Sequence, residues 1–526
     1  MLLDAHLGLM AEHYPDERAY QVVDGGTLTF GQWSGQANQL ARGLVDAGVR
    51  PDDRVALHLA PENALRWLVG YSAIHRAGAV AVPLNPRLAS DEVSRMLGHS
   101  GARAVVADGE RVARDVDAAH ASAGTGGTAP TLRLVVDAML EGAASPGVPT
   151  GTGDAIAVTP WASALSGDGS PFQVPRDDDD LADILYTSGT TGAPKGVAVR
   201  HVNASLVPPM APSYTGGGWM HASPMFTFAG LAFIYNPMKL GLRGIYQPRF
   251  DAGKWLEVVA AERPVAVFLV PAMAHLLLDH PGFETADLSF VTLCSVGSAP
   301  LAPFVIERLQ ERMPDAVVSN NYGMTEAGSV YCISPKGEAA RRPGSVGQPA
   351  PPAEVRIVDA DGTPVPAGEV GEVRLRIPGR PREYFGDPAA SADTWVDGWL
   401  ITGDLGRLDE DGYLYIVGRS KDVIIRGGNN IHAADVEHVI VAHPSVAEAA
   451  VIGVPHAVLG EDVAAFVVLG PGATADEGEL REWCVTQMAD YKAPRHWYFV
   501  DELPRNPTGK VVKPELRRRL AVESAP

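Results

Sequence analysis

The chain has 526 residues, 46% of them apolar and 20% charged. That is enough for two to four domains around a large core, and it excludes disorder of the whole chain. The sum of 43 Lys+Arg against 63 Asp+Glu gives −20, a balance that argues against general binding of nucleic acid or of an anionic membrane surface. Cys294, Cys332 and Cys484 lie far apart with no C-x-x-C pair, so neither a zinc site nor a disulfide framework is expected. The start Met1-Leu2-Leu3-Asp4 has no basic stretch followed by an apolar one, and the longest apolar run, near Val265 to Leu278, is broken by Pro271 and His275. These features point to a cytoplasmic protein without stable membrane insertion.

In chain order, Arg54 to Ala60 reads as a strand and Glu62 to Arg76 as a helix with Leu65, Leu68, Val69 and Ala73 on one face. Gly78 ends that helix, Ala79 to Leu84 is the next strand, and Ser90 is placed to cap a second helix. Ala102 to Asp108 closes a βαβαβ unit, which predicts a mostly parallel, doubly wound sheet. Residues 121–175, rich in Gly, Ala, Ser, Pro and Thr with one apolar patch at Leu132 to Leu140, read as surface connection rather than a second core. The acidic run Asp177 to Asp180 reads as a solvated loop. Strands are expected at Ala266 to Val270 and within Leu288 to Val296, and Glu354 to Ile377 reads as a small all-β subdomain. Helices near 433–442 and 477–488, with strands near 449–454 and 464–469, make the last hundred residues a separate α+β domain. The fold class expected is therefore α/β, with a large N-terminal domain of doubly wound sheets plus a small β-subdomain, and a small α+β C-terminal domain.

The stretch Ile184-Leu-Tyr-Thr-Ser-Gly-Thr-Thr-Gly-Ala-Pro-Lys-Gly196 runs an apolar strand into a loop of Thr187, Ser188, Gly189, Thr190, Thr191, Gly192 and Lys195. Glycines let successive N–H groups converge on an anion, and hydroxyls and a lysine add donors and charge. Phosphate cradling and a flexible hairpin loop both use such residues. The spacing is not that of a Walker loop, because Lys195 follows Gly192 by three and precedes glycine. No G-x-S-x-G elbow, no G-x-G-x-x-G after a strand and no H-E-x-x-H is present, so hydrolase, dehydrogenase and metalloprotease readings lack support.

Further motifs follow in order: Pro83-Leu-Asn-Pro-Arg87 earlier, then Gly297-Ser-Ala-Pro-Leu301, Asn321-Tyr-Gly-Met-Thr-Glu326, Gly344-Ser-Val-Gly347, Gly398-Trp-Leu-Ile-Thr-Gly-Asp404, Gly418 to Ile431, and Pro507-Thr-Gly-Lys510. With these the sequence resembles the adenylate-forming superfamily of acyl-CoA synthetases, carrier-protein adenylation domains and luciferases, over nearly the whole chain. The resemblance implies two steps. A carboxylate attacks the α-phosphate of ATP to give an acyl adenylate and pyrophosphate; a thiol of coenzyme A or of a pantetheine arm on a carrier protein then displaces AMP. It implies ATP, Mg2+ and coenzyme A, with an N-terminal adenylation domain over 1–419 and a mobile C-terminal domain over 420–526.

By the same resemblance, Lys510 is the catalytic lysine bridging carboxylate and α-phosphate, Glu326 the magnesium ligand, and Thr325 an α-phosphate donor. Tyr322 is expected to stack on adenine and the backbone of Gly297, Ser298 and Ala299 to read its edge, with Asn321, Gly323 and Met324 in the same nucleotide-binding segment. Asp404 is expected at the ribose hydroxyls and Arg419 at ribose or phosphate. Lys421 falls at the hinge, and Gly427, Gly428 and Asn429 would line the thiol tunnel. Acid-pocket walls are expected from Phe226, Thr227, Phe228, Gly297, Gly323 and Ala327. Thr227 stands where many relatives carry a histidine or another aromatic that gates the acyl and thiol pockets; either a flanking aromatic takes that role or the acceptor half-reaction differs. Small and apolar walls without a cation favour a medium-length aliphatic or aryl acid over a dicarboxylate. Rival readings keep adenylation but load a carrier protein, or use an amine or nitrite as second nucleophile; a non-enzyme reading is a degenerate nucleotide-binding protein.

Overall fold

The computed structural model describes residues 2–108, 134–138, 145–149, 155–187, 195–204, 207–208, 210–299, 301–329, 332–377, 379–506 and 510–523. The expected βαβαβ unit forms the centre of an eight-stranded sheet. Its order is Lys195–Arg200, Leu181–Thr187, Val80–Pro83, Arg54–His58, Ala102–Ala107, Leu134–Asp137, Ala155–Pro160 and Ser145–Pro149. The inner six run parallel and the two outer strands antiparallel. Two expectations are corrected here. Residues 134–137 and 155–160 are strands of this sheet, and residues 134–138 are buried, so the region read as surface connection contributes to the core. The small-residue composition hid two short strands whose pairing partners lie earlier in the chain. The helix Ser90–Ser100 starts with Ser90 itself inside it; the cap position is Ala89, whose N–H donates to Glu92 Oε2 at 2.9 Å.

A second sheet takes Val317–Asn321, Leu293–Gly297, Ala266–Leu269, Gly218–His221, Arg243–Tyr246, Arg18–Val22 and Thr27–Thr29, parallel except for the last pair. The chain thus leaves its first strand in one sheet and builds the other before returning. Helices Phe30–Asp46, Ala64–Arg76 and Phe228–Lys239 meet in the core that joins the sheets, where Trp33, Tyr71 and Tyr235 stack at 5.9 and 6.0 Å between centroids. Ala64–Arg76 is buried nearly all round rather than on one stripe, because it is covered from both sides. Arg76 at its end pairs with Asp4 at 2.9 Å and donates to Ser34 O and Asn38 Oδ1, which satisfies a charge that would otherwise destabilise the core.

The all-β subdomain is larger than expected. Its sheet runs Cys332–Ile333, Ser345–Pro349, Leu414–Arg419, Trp399–Leu408, Gly371–Arg376 and Glu354–Val358, all antiparallel, with Trp395–Val396 beside Trp399–Leu408. Val373 and Leu375 face its core while Arg374 and Arg376 alternate outward. Beyond it a five-stranded sheet (Asn429–His432, Val423–Arg426, Gly460–Leu469, Val446–His456, His496–Phe499) packs with helices Ala433–Val441, Glu477–Gln487 and Lys513–Glu523. Its two apolar clusters, around Ile424, Val436, Val451 and Leu480 and around Phe466, Leu503 and Leu516, take residues only from beyond 423. Among the described residues no helix is long and apolar enough to cross a membrane.

Candidate active site

Several candidate residues gather at the carboxyl ends of parallel strands, where open α/β sheets present their ligand crevices. Gly297 closes Leu293–Gly297, Asn321 closes Val317–Asn321, and the two are register partners. A Cβ on Gly297 would stand 3.0 Å from Asn321 O, a tight approach that glycine relieves. Ser298 follows with φ +76°, a left-handed conformation that costs about 1–3 kcal/mol for a non-glycine residue and is typical of backbone held for a ligand. Ala299 continues the same turn.

Past Asn321 the chain folds back on itself. Gly323–Met324 pairs with Gly328–Ser329, which puts Thr325, Glu326 and Ala327 at the tip of a short hairpin, closed by Ala327 N–H on Met324 O at 3.1 Å. Tyr322, just before it, packs against the β-subdomain core and donates its hydroxyl to Asp404 Oδ2 at 2.6 Å. Asp404 and Arg419 are register partners on adjacent strands, joined by a 3.0 Å ion pair. Asp404 is only 5% exposed, so the guanidinium and the phenol together stabilise its buried charge. Burial, then the Asp404 carboxylate, pushes the Tyr322 phenol above its usual range.

Lys510 comes from the far end of the chain. Its N–H is held by Asn506 Oδ1 at 2.9 Å, and Asn506 N–H donates to Lys510 O at 2.8 Å. The side chain keeps contact with solvent yet lies within electrostatic reach of Arg419, Asp404 and Glu326. Partial desolvation lowers its pKa from the ordinary lysine value; Arg419 lowers it further, while Asp404 and Glu326 act in the opposite sense.

The hairpin Leu181–Thr187 and Lys195–Arg200 pairs Thr187 directly with Lys195. Ser188, Gly189, Thr190, Thr191 and Gly192 lie outside the described residues, as do Pro507, Thr508 and Gly509. Lys195 Nζ sits 4.7 Å over the ring of Tyr384, and the Tyr384 hydroxyl donates to Glu326 Oε1 at 2.9 Å. Burial, then Glu326, holds the Tyr384 phenol above its usual range.

At the expected acid pocket, Thr227 is the N-cap of Phe228–Lys239: its Oγ1 accepts from Gly230 N–H at 3.0 Å and donates to Pro224 O at 2.7 Å. The hydroxyl is therefore spent on the helix end, and the flanking aromatics diverge. Phe226 lines a cleft with Leu59, Pro61, Trp67, Pro86 and Tyr246. Phe228 packs with Leu185, Val197 and Tyr384, under the guanidinium of Arg382 at 4.8 Å. Arg382, 4% exposed, donates to Thr325 O at 2.9 Å and to Asn203 O. A cation thus does reach the wall formed by Phe228 and Gly328, but from a loop outside the stretches expected to line the pocket. Arg382 and Tyr384 escaped the sequence reading because they sit in an irregular segment with no periodicity.

Lys421 lies in the turn Ser420–Asp422, exposed, between the Ser420 contact to Gly403 O and the Asp422–Arg517 pair at 3.4 Å. Gly427 and Gly428, at φ +57° and +82°, form the two-residue turn joining Val423–Arg426 to Asn429–His432. Both positive angles are those of a type I′ hairpin, which by itself accounts for the paired glycines. The turn is exposed, with Leu459 its neighbour; Asn429 donates to Arg426 O. The structure therefore does not bring Gly427, Gly428 and Asn429 to the crevice that holds Lys510.

Residues 9–385 match the family model described as AMP-binding enzyme, and residues 435–510 match that described as AMP-binding enzyme C-terminal domain. A feruloyl-CoA synthase of Amycolatopsis sp is 36% identical over 95% of this chain and 96% of its own length. The fatty acid–[acyl-carrier-protein] ligase ScoC of Streptomyces coeruleorubidus is 34% identical over 98% and 96%. Among solved structures, ATP-bound MatB from Rhodopseudomonas palustris superposes with a TM-score of 0.80 at 32% identity, covering 98% of both chains.

Proposed function

The chain belongs to the family of AMP-binding enzymes, as an acid–thiol ligase of the adenylate-forming acyl-CoA synthetase type whose CoA ligases use ATP, Mg2+ and coenzyme A; from that premise we propose that it activates a medium-length aliphatic or aryl carboxylic acid and passes the acyl group to coenzyme A. The observation that carries the site assignment is the convergence of Lys510, Arg419, Asp404 and Glu326, from three distant stretches of chain, on one crevice.

Two anions must meet for adenylation, so the site needs positive charge where negative charge develops. Lys510 is the residue that neutralises the approaching carboxylate and the α-phosphate. Thr325, at the hairpin tip, donates to that phosphate, and Lys195 with the loop Ser188 to Gly192 holds the outer phosphates. Asp404 accepts from the ribose hydroxyls while Arg419 holds its orientation. Ser298, Gly297 and Ala299 present backbone to the adenine edge beside Tyr322, with Asn321, Gly323 and Met324 completing the segment. Glu326 is a single hard oxygen donor, which suits an ion taking its remaining ligands from phosphate and water. Bound there, Mg2+ would neutralise charge on the phosphate oxygens.

The acid pocket is assigned to Phe226, Phe228, Gly297, Gly323 and Ala327. Thr227 shapes it as a helix cap rather than as a gate, and two of the Arg382 N–H groups are engaged by Thr325 O and Asn203 O. We place the boundary between the adenylation domain and the C-terminal domain at 419–420, with Lys421 as the hinge; Gly427, Gly428 and Asn429 then reach the thiol channel only after rotation. The deciding experiment measures pyrophosphate release across a broad panel of carboxylic acids, then offers the best acid with coenzyme A, a holo carrier protein, or an amine. Thioester on coenzyme A is expected; transfer only to the carrier protein or to the amine would overturn the acceptor assignment.

A further inference from the structure

Tyr384 belongs to none of the motifs that carry the family likeness, yet it touches two of the groups assigned to the nucleotide. Its segment is fixed to the phosphate hairpin by one isolated antiparallel bridge: Ala198 N–H donates to Glu383 O at 2.8 Å, Phe385 N–H donates to Gly196 O at 2.7 Å, and Val197 pairs with Tyr384. From that anchorage the ring lies under Lys195 Nζ and the hydroxyl holds Glu326 Oε1. Arg382, two residues earlier, grips the same hairpin tip through Thr325 O. The tip on which Glu326 stands is only a two-plus-two-residue ladder, too short to fix a carboxylate by itself.

We propose that Tyr384 is a positioning residue, which sets the rotation of the Glu326 carboxylate and its distance from Lys195, so that a divalent cation and the phosphate-binding lysine meet the nucleotide in one register. The proposal rests on the assignment of Glu326 as metal ligand. The geometry divides the two jobs within one side chain. The hydroxyl serves Glu326 and hence the metal; the ring serves Lys195 and hence the phosphates.

The test uses the full-length protein with α,β-methylene-ATP and Mn2+, reading bound metal by electron paramagnetic resonance. Tyr384→Phe keeps the ring and its packing, and should weaken Mn2+ in the nucleotide complex about tenfold, the usual scale for losing an outer hydrogen bond to a metal ligand. In turnover, the Mg2+ concentration for half-maximal pyrophosphate release should rise by a similar factor, and more than the rate at saturating Mg2+ falls. Tyr384→Leu should in addition weaken the nucleotide measured without metal, which Tyr384→Phe should leave within about twofold. Thermal melts of both variants establish that they are folded, and Glu326→Gln is the control. If Glu326→Gln weakens Mn2+ and Tyr384→Phe does not, the positioning role is wrong while the site assignment stands. Mn2+ affinity unchanged in both variants would overturn the metal-ligand role and this inference with it.

Discussion

Glu326 and Lys510 show how much chemistry depends on single atoms. Replacing Glu326 by glutamine keeps shape and one acceptor for the Tyr384 hydroxyl, but removes the charge proposed to hold a cation among phosphates. Pyrophosphate release at saturating Mg2+ should fall by about a hundredfold or more, with the melting temperature little changed. A rate within a few-fold of wild type would remove Glu326 from the metal site. Lys510→Ala should abolish acyl-adenylate formation, by about a hundredfold or more, yet spare thioester formation from a supplied acyl adenylate, because the ammonium matters only where two anions approach. In its proposed role Lys510 should make adenylation slow as pH rises, read as pyrophosphate release across pH. Its pKa is lowered by desolvation and by Arg419, so the proton it needs is lost as pH rises, earlier than for a free lysine. Neither Asp404 nor Tyr322 could have been ranked this way from sequence. The 2.6 Å hydrogen bond between them makes the tyrosine a partner of the carboxylate as well as a candidate surface for adenine.

Elements decide which of these residues can meet. The strand pairing of Asp404 with Arg419 sets one ion pair, and the next three residues, Ser420–Asp422, are where the chain turns toward the last sheet. With Lys421 as the proposed hinge, exchange between adenylating and thiolating arrangements would require a backbone rotation there. Proline fixes φ near about −65° and removes an N–H, so Lys421→Pro should trap one arrangement. The structure has Lys510 within electrostatic reach of Glu326 and Asp404, and the Gly427-Gly428 turn exposed beside Leu459, so the adenylating arrangement is the one expected to be trapped. Pyrophosphate exchange should then survive within a few-fold while thioester formation drops by about a hundredfold. Equal losses in both half-reactions would mean that no such rotation occurs at this turn. The paired glycines show the limit of motif reasoning at this scale. Their positive angles are what a two-residue hairpin demands, whatever their part in a thiol channel.

At the scale of the whole molecule, the N-terminal segment is locked into the core by buried polar contacts. Leu3 N–H donates to His201 Nδ1 at 3.3 Å, and Asp4 pairs with Arg76 nearby. His201 accepts that bond only when Nδ1 is unprotonated. Burial, then His75, lowers its pKa to about 4, while Asp183 and Asp4 act in the opposite sense. The folded pKa lies below the unfolded value, so the unfolded chain binds the extra proton first as pH falls. The stabilisation from neutral His201 is therefore complete above about pH 6.5 and is lost progressively down to about pH 4, on the order of 3 kcal/mol. His201→Gln should flatten the fall of melting temperature between those limits. An unchanged slope would assign the acid sensitivity to other groups, such as His221, whose burial lowers its pKa to about 3.

The sequence by itself determined the family, the chemistry and the order of the parts. Strand–helix alternation fixed the parallel sheet around Arg54–His58, because a local period reports which face is buried. Ordered motifs nominated Lys510, Glu326 and Asp404 as site residues, because a family's motifs keep their order along the chain. Tertiary structure alone decided the rest, and each case has a physical cause. Residues 134–137 and 155–160 became strands because an existing sheet edge supplied partners that their composition did not advertise. Ser90 is the exception: it yielded the cap position to Ala89 through a local contact, Glu92 reaching back three residues to the Ala89 N–H. Arg382 and Tyr384 acquired their partners Asn203 and Glu326 from 179 and 58 residues away, through contacts that no local pattern encodes, because a hydrogen bond records distance in space and not along the chain.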